Sequence, residues 1–409
     1  MTATPWSEGD PIVVFGDDWD RHVSTMQHVF RHIMPDYPVV WVNAIGHRKP
    51  SLNLPDLRRA AGKVWAGARG GTSQPDPGPA GGGVPRVIIE PRVLPWHDVG
   101  PVHALNTQVL IRAVRRALGA LGGARPPVLV TGSPPAVGVV GRLGEAASLY
   151  FCMDDFLHLP GVSVDMIAPL ERRLLKVVDA VVATAASLTQ SKRPASGVAH
   201  HLPQGVNYAH FATPQPEPDD LRHVPRPRIG FAGALSACVD QELVARVADT
   251  YRDCSVVLVG PIVREVVDGA RLARPNIHLL GERSYRALPA YVQSFDVGII
   301  PYVLNDWTRA VDPLKLLEYL AAGLPVVCSA IPEAGKYATA ITIAADHDRF
   351  VGAIGSALTG DRARVRSHAQ AVARQHTWQR RADELLRIIQ QTVAQRRLAE
   401  PADSLAFRP

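Results

Sequence analysis

Cysteine is scarce. The chain has four, Cys152, Cys238, Cys254 and Cys328, far apart among 409 residues, and this excludes a disulfide-stapled scaffold. Three of them lie in or beside apolar strand-like runs (LYFCMD, DCSVVLV, VVCS), so reduced thiols in the core are expected. No cluster of Cys, His or acids has the spacing of a zinc site, and no metal is expected. No stretch approaches eighteen uninterrupted apolar residues, which excludes a membrane-spanning helix. The opening MTATPWSEGDP is polar and prolyl and does not read as a signal peptide, so a cytoplasmic protein is expected. Charge of one sign is also missing: 44 Lys+Arg stand against 38 Asp+Glu, a net +6 with a pI near 9.3, and the arginines are scattered. Without a basic tail or an aromatic RNA-binding motif, no nucleic-acid partner is expected. A mildly basic surface suits anionic lipid or a phosphorylated substrate.

Short apolar runs alternate with helical patterns along the whole chain. The first series is IVVFG (12–16), VVWVN (39–43), VIIEP (87–91), PVLVTG (127–132), SLYFCMD (148–154) and AVVATA (180–185). None alternates cleanly with polar residues, as expected for parallel strands covered on both faces. After the proline-rich TPQPEPDDLRHVPRPR (213–228) a second series begins: RIGFAG (228–233), SVVLVG (255–260), IHLLG (277–281), VGIIP (297–301), PVVCS (325–329) and AITIA (340–344). The pattern predicts an α/β protein with two Rossmann-like, doubly wound domains facing across a cleft. The expected boundaries are 1–208, 209–377, and a C-terminal helix and tail over 378–409 that could cross back to the first domain. Residues 68–86 read as a low-complexity surface insertion. A monomer is expected.

The segment VDPLKLLEYLAAGLPVV (311–327) reads as a short helix before a buried strand, with Asp312 as N-cap, Pro313 at the first helical position and Gly323 as the left-handed stop. Lys315 then falls in the first turn, where the helix dipole and free N–H groups disfavour a cation. Lys315 and Glu318, three apart, share a face, and alone they would read as an ion pair on a solvated surface. Their place after a strand end and a polar loop points instead to an anion site. The ammonium and the N–H groups suit a phosphate, and Glu318 can accept hydrogen bonds from two ribose hydroxyls. A nucleoside diphosphate satisfies both.

The runs RIGFAGAL, VVLVGP, PNIHLLGERSYRALPAYVQSFDVGIIPY and DPLKLLEYLAAGLPVV resemble the nucleotide-sugar-binding domain of bacterial group 1 glycosyltransferases of the GT-B fold, the variant with a PLKxxEYxAxGxPVV signature. The segment PQGVNYAHF (203–211) is similar to that family's interdomain segment. The resemblance implies a sugar transferred from a nucleotide donor, expected to be UDP-linked, to a lipid-linked or polysaccharide acceptor, with no cofactor and no metal. It implies Lys315 on the diphosphate, Glu318 on the ribose, Tyr302 beside the base, Glu282 at the base edge, and Gly233 for close backbone approach to phosphate. The xanthan-type glucuronosyltransferases show a similar Glu, Tyr, Lys-x-x-Gln/Glu order. Many retaining members carry a further glutamate eight residues before the second; here that position is Ala310, and the stereochemical outcome stays open.

In the first domain, LYFCMDDFLHLPG (149–161) places Asp154 and Asp155 at a strand end, where a carboxylate can deprotonate an acceptor hydroxyl. Asp154 is preferred as the base. The loop FGDDWDRHVSTMQH (15–28) lacks GxGxxG, which argues against a dinucleotide site; the resemblance makes it the acceptor region, with Asp18, Trp19 and Arg21 as candidates. RRAAGKVWAGARGG (58–71) and IRAVRRALGALGG (111–123) mix arginine with apolar residues as interfacial helices do, so peripheral contact with the inner face of the cell membrane is a further expectation. Two alternatives remain: a nucleotide-sugar epimerase on the same fold, and a non-catalytic two-domain sugar-binding protein.

Overall fold

The computed structural model describes residues 6–19, 21, 23–49, 82–123 and 125–399. The chain divides into two compact units, one comprising Met1–Thr184, Leu188–Leu202 and Ala382–Pro409, the other Ala185–Ser187 and Pro203–Arg381. The observed divisions thus fall a few residues from the expected 208/209 and 377/378. Residues 58–71 and most of the insertion 68–86 lie outside the described residues.

The first unit is built on a seven-stranded sheet. Its strands are β1 (Ile12–Phe15), β2 (Val39–Val42), β3 (Val87–Ile89), β4 (Val128–Thr131), β5 (Ala147–Cys152), β6 (Ala180–Ala183) and β7 (Ala199–His201), in the order β3-β2-β1-β4-β5-β6-β7, every pair parallel. β1, β2, β4, β5 and β6 are buried along their whole length, because helices cover both faces and no position can be polar without losing water. β7 is the one strand of this sheet that hydropathy did not reveal: three residues, AHH, at the edge, none of them fully buried.

The second unit repeats the plan with six parallel strands, β8 (Arg228–Ala232), β9 (Ser255–Val259), β10 (Ile277–Gly281), β11 (Val297–Ile300), β12 (Val326–Ser329) and β13 (Thr342–Ala344), in the order β10-β9-β8-β11-β12-β13. In each sheet the order reverses beside its first strand, between β1 and β4 and between β8 and β11. Doubly wound sheets bind ligands at the carboxyl ends of the strands flanking such a reversal. All four cysteines are free and buried, and no described helix is long and apolar enough to cross a membrane.

The last helix, Trp378–Ala399, gives its first residues to the second unit and the remainder to the first. There Leu385, Ile388, Ile389 and Val393 are buried and Arg396 pairs with Asp179 at 2.9 Å.

Polar anchors fix the start of the second sheet. Asp296, almost wholly buried just before β11, accepts from the backbone N–H of Arg228 at 2.7 Å and pairs with Arg226 at 3.0 Å and Arg362 at 2.8 Å. Replacing Asp296 with Ala strands those donors, and urea unfolding should show a loss on the order of 3 kcal/mol; an unchanged midpoint would mean that the cluster is ornamental.

Candidate functional site

The residues that carry the nucleotide reading converge at the reversal point of the second sheet. The helix Leu314–Ala322 follows β11 after a connection that contains the 3-10 turn Thr308–Ala310, and Gly323 ends it in the left-handed region at φ 79°. Its N-cap is Pro313, extended and without a side-chain hydrogen bond. Asp312 is therefore not the cap expected from sequence. Its side chain is fully buried, accepts from the backbone N–H of Gln204 at 2.9 Å and pairs with Lys336 at 2.6 Å. Burial raises the Asp312 carboxyl above its usual range although Lys336 pulls the other way. Asp312 ties the 203–211 segment to the helix start; the Leu316 N–H donates to the Pro313 carbonyl at 3.0 Å, and the N–H groups of Leu314 and Lys315 are left for another partner.

Lys315 is the second residue of that helix. Its ammonium donates to the Tyr302 hydroxyl, lies 4.9 Å from the Tyr302 ring centroid and 5.4 Å from that of Phe231. Among the described residues no carboxylate forms an ion pair with it. Two aromatic faces and a phenol hold the charge in place while leaving it uncompensated. The side chain runs over the end of β8, where a Cβ on Gly233 would stand 2.5 Å from the Lys315 Cε, so a larger residue there would push the lysine chain out of its seat. Gly260, at φ +145°, closes the same corner from β9: a Cβ there would meet the Gly233 carbonyl oxygen at 2.1 Å. This corrects the expectation for Tyr302. The residue is 6% exposed, and its ring and hydroxyl are spent on seating Lys315, with no open face for a base.

Glu318, one turn on, is also 6% exposed, and no hydrogen bond reaches it from the described residues. Burial pushes its carboxyl up to about 7, with Lys315 pulling in the opposite direction. The neighbouring Tyr285, whose hydroxyl is held well above its usual range by burial and then by Glu318, stacks on His210 at 4.8 Å. Glu282 is exposed just past β10, at the far edge of the same sheet.

In the first unit the structure separates the paired aspartates. Asp154 is half-buried just past β5. Asp155 pairs with Lys192 at 3.0 Å and His158 at 2.8 Å. Lys192 also bonds Glu171 at 2.8 Å, and Glu171 accepts from the Tyr150 hydroxyl at 2.7 Å. Burial works to raise the Asp155 carboxyl, but the His158 and Lys192 hydrogen bonds outweigh it and the group sits below its usual range. An acid held as an anion by two partners is a poor proton acceptor, so Asp155 is corrected from catalytic candidate to structural anchor.

The acceptor candidates divide as well. Trp19 is packed edge-on against Trp41 at 4.9 Å and under the Arg31 guanidinium at 4.7 Å, so it belongs to the core. Asp18 accepts from the Ala44 N–H at 3.2 Å and pairs with the exposed Arg21 at 3.3 Å, which makes the two a loop brace. The neighbour that sequence reading passed over is Asp17. Burial raises its carboxyl, against a hydrogen bond from Ser24, at the end of β1 beside the reversal point. The run FGDDWD holds three acids, and nothing in it marks which one the fold will desolvate. His47, its pKa pushed down to about 4 by burial and then by His97, meets the Ser133 hydroxyl at 2.9 Å. In the segment 111–123, Ile111, Val114 and Ala117 are buried in one core cluster with residues of β1, β2 and β4, the packing of an apolar helix face on the sheet. Among the described residues no group of three or more His, Cys, Asp or Glu could hold a metal ion.

Two outcomes test this geometry. Because the Glu318 carboxyl is raised in the folded state, the native protein binds the extra proton, and stability should fall as pH rises from about 4.5 to about 7. Glu318→Gln should flatten that slope in pH-dependent urea melts; an identical slope in both proteins would place the titration elsewhere. Lys192→Met should cost about 3–5 kcal/mol by leaving Glu171 buried and unpaired, and Glu171→Gln in the same chain should recover much of it.

With the site described, comparison with known proteins gives three findings. Residues 226–360 match the family described as Glycosyl transferases group 1. A curated relative, the Putative teichuronic acid biosynthesis glycosyltransferase TuaH of Bacillus subtilis (strain 168), is 32% identical over 143 residues, 34% of this chain and 36% of the relative. The chain thus aligns with about a third of that relative's length. Among solved structures, an E. coli trehalose-6-phosphate structure bound with UDP-2-fluoro glucose superposes with a TM-score of 0.63 at 12% identity over 93% of this chain and 99% of that one. Anabaena Alr3699/HepE in complex with UDP and glucose superposes with a TM-score of 0.62 at 12% identity over 93% and 100%. At such identities the likeness concerns the fold, which is GT-B: two parallel-sheet α/β domains.

Proposed function

We propose, from the group 1 glycosyl transferase match over residues 226–360, that the chain moves a sugar from a nucleoside diphosphate donor, UDP-linked, to a hydroxyl of a lipid-linked or polysaccharide acceptor. One observation carries the reading. At a single helix start stand an ammonium with no ion-pair partner among the described residues and, one turn deeper, a buried carboxylate with no hydrogen-bond partner among them. A nucleotide donor supplies both missing partners, a diphosphate for Lys315 and ribose hydroxyls for Glu318.

The chemistry follows from that placement. Glycosyl transfer breaks the bond between the anomeric carbon and the diphosphate oxygen, and negative charge grows on the leaving phosphate. Lys315 and the first-turn N–H groups are fixed before the reaction, so they stabilise that charge without reorganising. On the acceptor side a carboxyl of the first unit takes the hydroxyl proton. Asp154 is the leading candidate, and Asp17, with its raised pKa, is the second. Support for a polysaccharide-type acceptor comes from the teichuronic acid biosynthesis relative.

Isothermal titration with UDP checks the donor half. Binding should weaken at least roughly tenfold in Lys315→Ala and in Glu318→Ala, the loss of a charge-assisted hydrogen bond in each case. Wild-type binding should also release protons near neutral pH, because hydroxyl donors favour ionised Glu318, and Glu318→Gln should abolish that release. Undiminished UDP binding in both alanine variants would remove the basis of the reading. Conversion of a nucleotide sugar by the protein alone, with no acceptor, would replace transfer by epimerisation.

A further inference from the structure

A cavity of about 640 Å³ opens in the first unit between the first two turns of the helix Gly100–Ala120, the segment after β4, and the helix Val164–Val177. None of the donor or acceptor candidates lines it.

Its walls prefer an anion. Arg142 and Arg173 both line the cavity, and neither guanidinium has a carboxylate partner among the described residues. The only acid on the lining, Asp98, is already paired with Lys49 at 2.6 Å. The helix that begins at Gly100 has no side-chain cap at Val99 and no acid in its first turn, so the N–H groups of Gly100 and Val102 stay open, Pro101 between them having none. His103 supplies an independent observation. It lines the cavity, is 8% exposed, and neither of its ring nitrogens has a hydrogen-bond partner. Buried polar atoms are nearly always satisfied, and an orphaned imidazole at a cavity wall marks a place for a ligand. Burial, then Arg173 and His97, push its pKa down to about 4, so the ring is neutral and offers an N–H.

The residues next to this lining in sequence have the opposite character. Trp96, Val99 and Leu105 adjoin the cavity-lining His97, Gly100 and Ala104 in sequence, and with Leu94 they are each 43% to 55% exposed. Exposed, acid-free arginines beside a bare tryptophan with aliphatic neighbours are the chemistry of a lipid headgroup boundary.

We propose that this cavity holds the phosphate ester of a membrane lipid, with Arg142, Arg173, His103 and the first-turn N–H groups on the phosphate and Trp96, Val99 and Leu105 in the apolar boundary. The inference rests on the glycosyl-transfer reading only for the role of that lipid as carrier of the acceptor; the binding itself does not need it.

The test sediments the full chain with vesicles of phosphatidylcholine, alone or doped with phosphatidic acid. Binding is expected to the doped vesicles and not to the neutral ones. Arg142→Ala/Arg173→Ala should lower partitioning at least roughly tenfold, given what each basic residue contributes near an anionic surface, and Trp96→Ser should lower it as well. UDP titration of every variant serves as the folding control and should match the wild type. Unchanged partitioning of the double arginine variant, or equal binding to neutral vesicles, overturns the proposal. Inorganic phosphate separates the two sources of the anion: a thermal stabilisation by phosphate that needs both arginines, without vesicle binding, would assign the cavity to a soluble phosphate and overturn the lipid assignment. A wild type that binds doped vesicles but not UDP would leave the lipid site standing and remove the glycosyl-transfer reading instead.

Discussion

An ammonium group needs a counter-charge or water, and Lys315 is given neither a carboxylate nor full exposure. It is seated against the Phe231 and Tyr302 rings, hydrogen-bonded to a phenol and pressed over Gly233. Much of the second unit's local design follows from keeping that charge where it is. Just past β8, any residue larger than Gly233 would push the lysine chain aside, just past β9 Gly260 presses against that same backbone, and Tyr302 is buried deeply enough to form a floor. An aromatic seat leaves the electrostatic demand of the lysine unmet in the free protein, which is what makes it available to a polyanion.

Glu318 states the same logic with the sign reversed. The site stores its cost as a proton: the carboxyl sits near neutrality because burial disfavours its anion and Lys315 recovers only part of the loss. The first unit disposes of its acids differently. Asp155 and Glu171 are wired to Lys192, and the Asp155 carboxyl is held below its usual range, while Asp17 is left desolvated with one hydroxyl for company.

Strand content was legible because buried parallel strands must be apolar on both faces, and each of the twelve apolar runs is a strand in the structure. β7 escaped because an edge strand of three residues is under no such pressure. Gly323 was readable because a positive φ has few occupants, whereas Asp312 misled because an acid before a proline at a helix start has a local use that tertiary structure overrode: Lys336 and the Gln204 N–H claimed it from afar. Lys315 and Glu318 were visible as an electrostatic misfit within one helix. The roles of Tyr302, Trp19 and Asp155 depended on partners distant in sequence, including Lys315, Arg31 and Lys192, which no local pattern announces.

The two units are not equal in how their chains are laid out. Apart from the short piece Ala185–Ser187, the second is a continuous stretch, Pro203–Arg381, while the first reclaims the chain from Ala382 onward to cover its own core. A protein leaves the ribosome from its amino end, and domains ordinarily mature in that order. Here the order inverts: the later-synthesised half holds nearly all its own pieces first, and the earlier half waits with Leu385, Ile388, Ile389 and Val393 still to arrive. Until translation reaches that final helix, the nascent amino-terminal unit lacks these apolar side chains, and it is this half that a chaperone would be called on to shield.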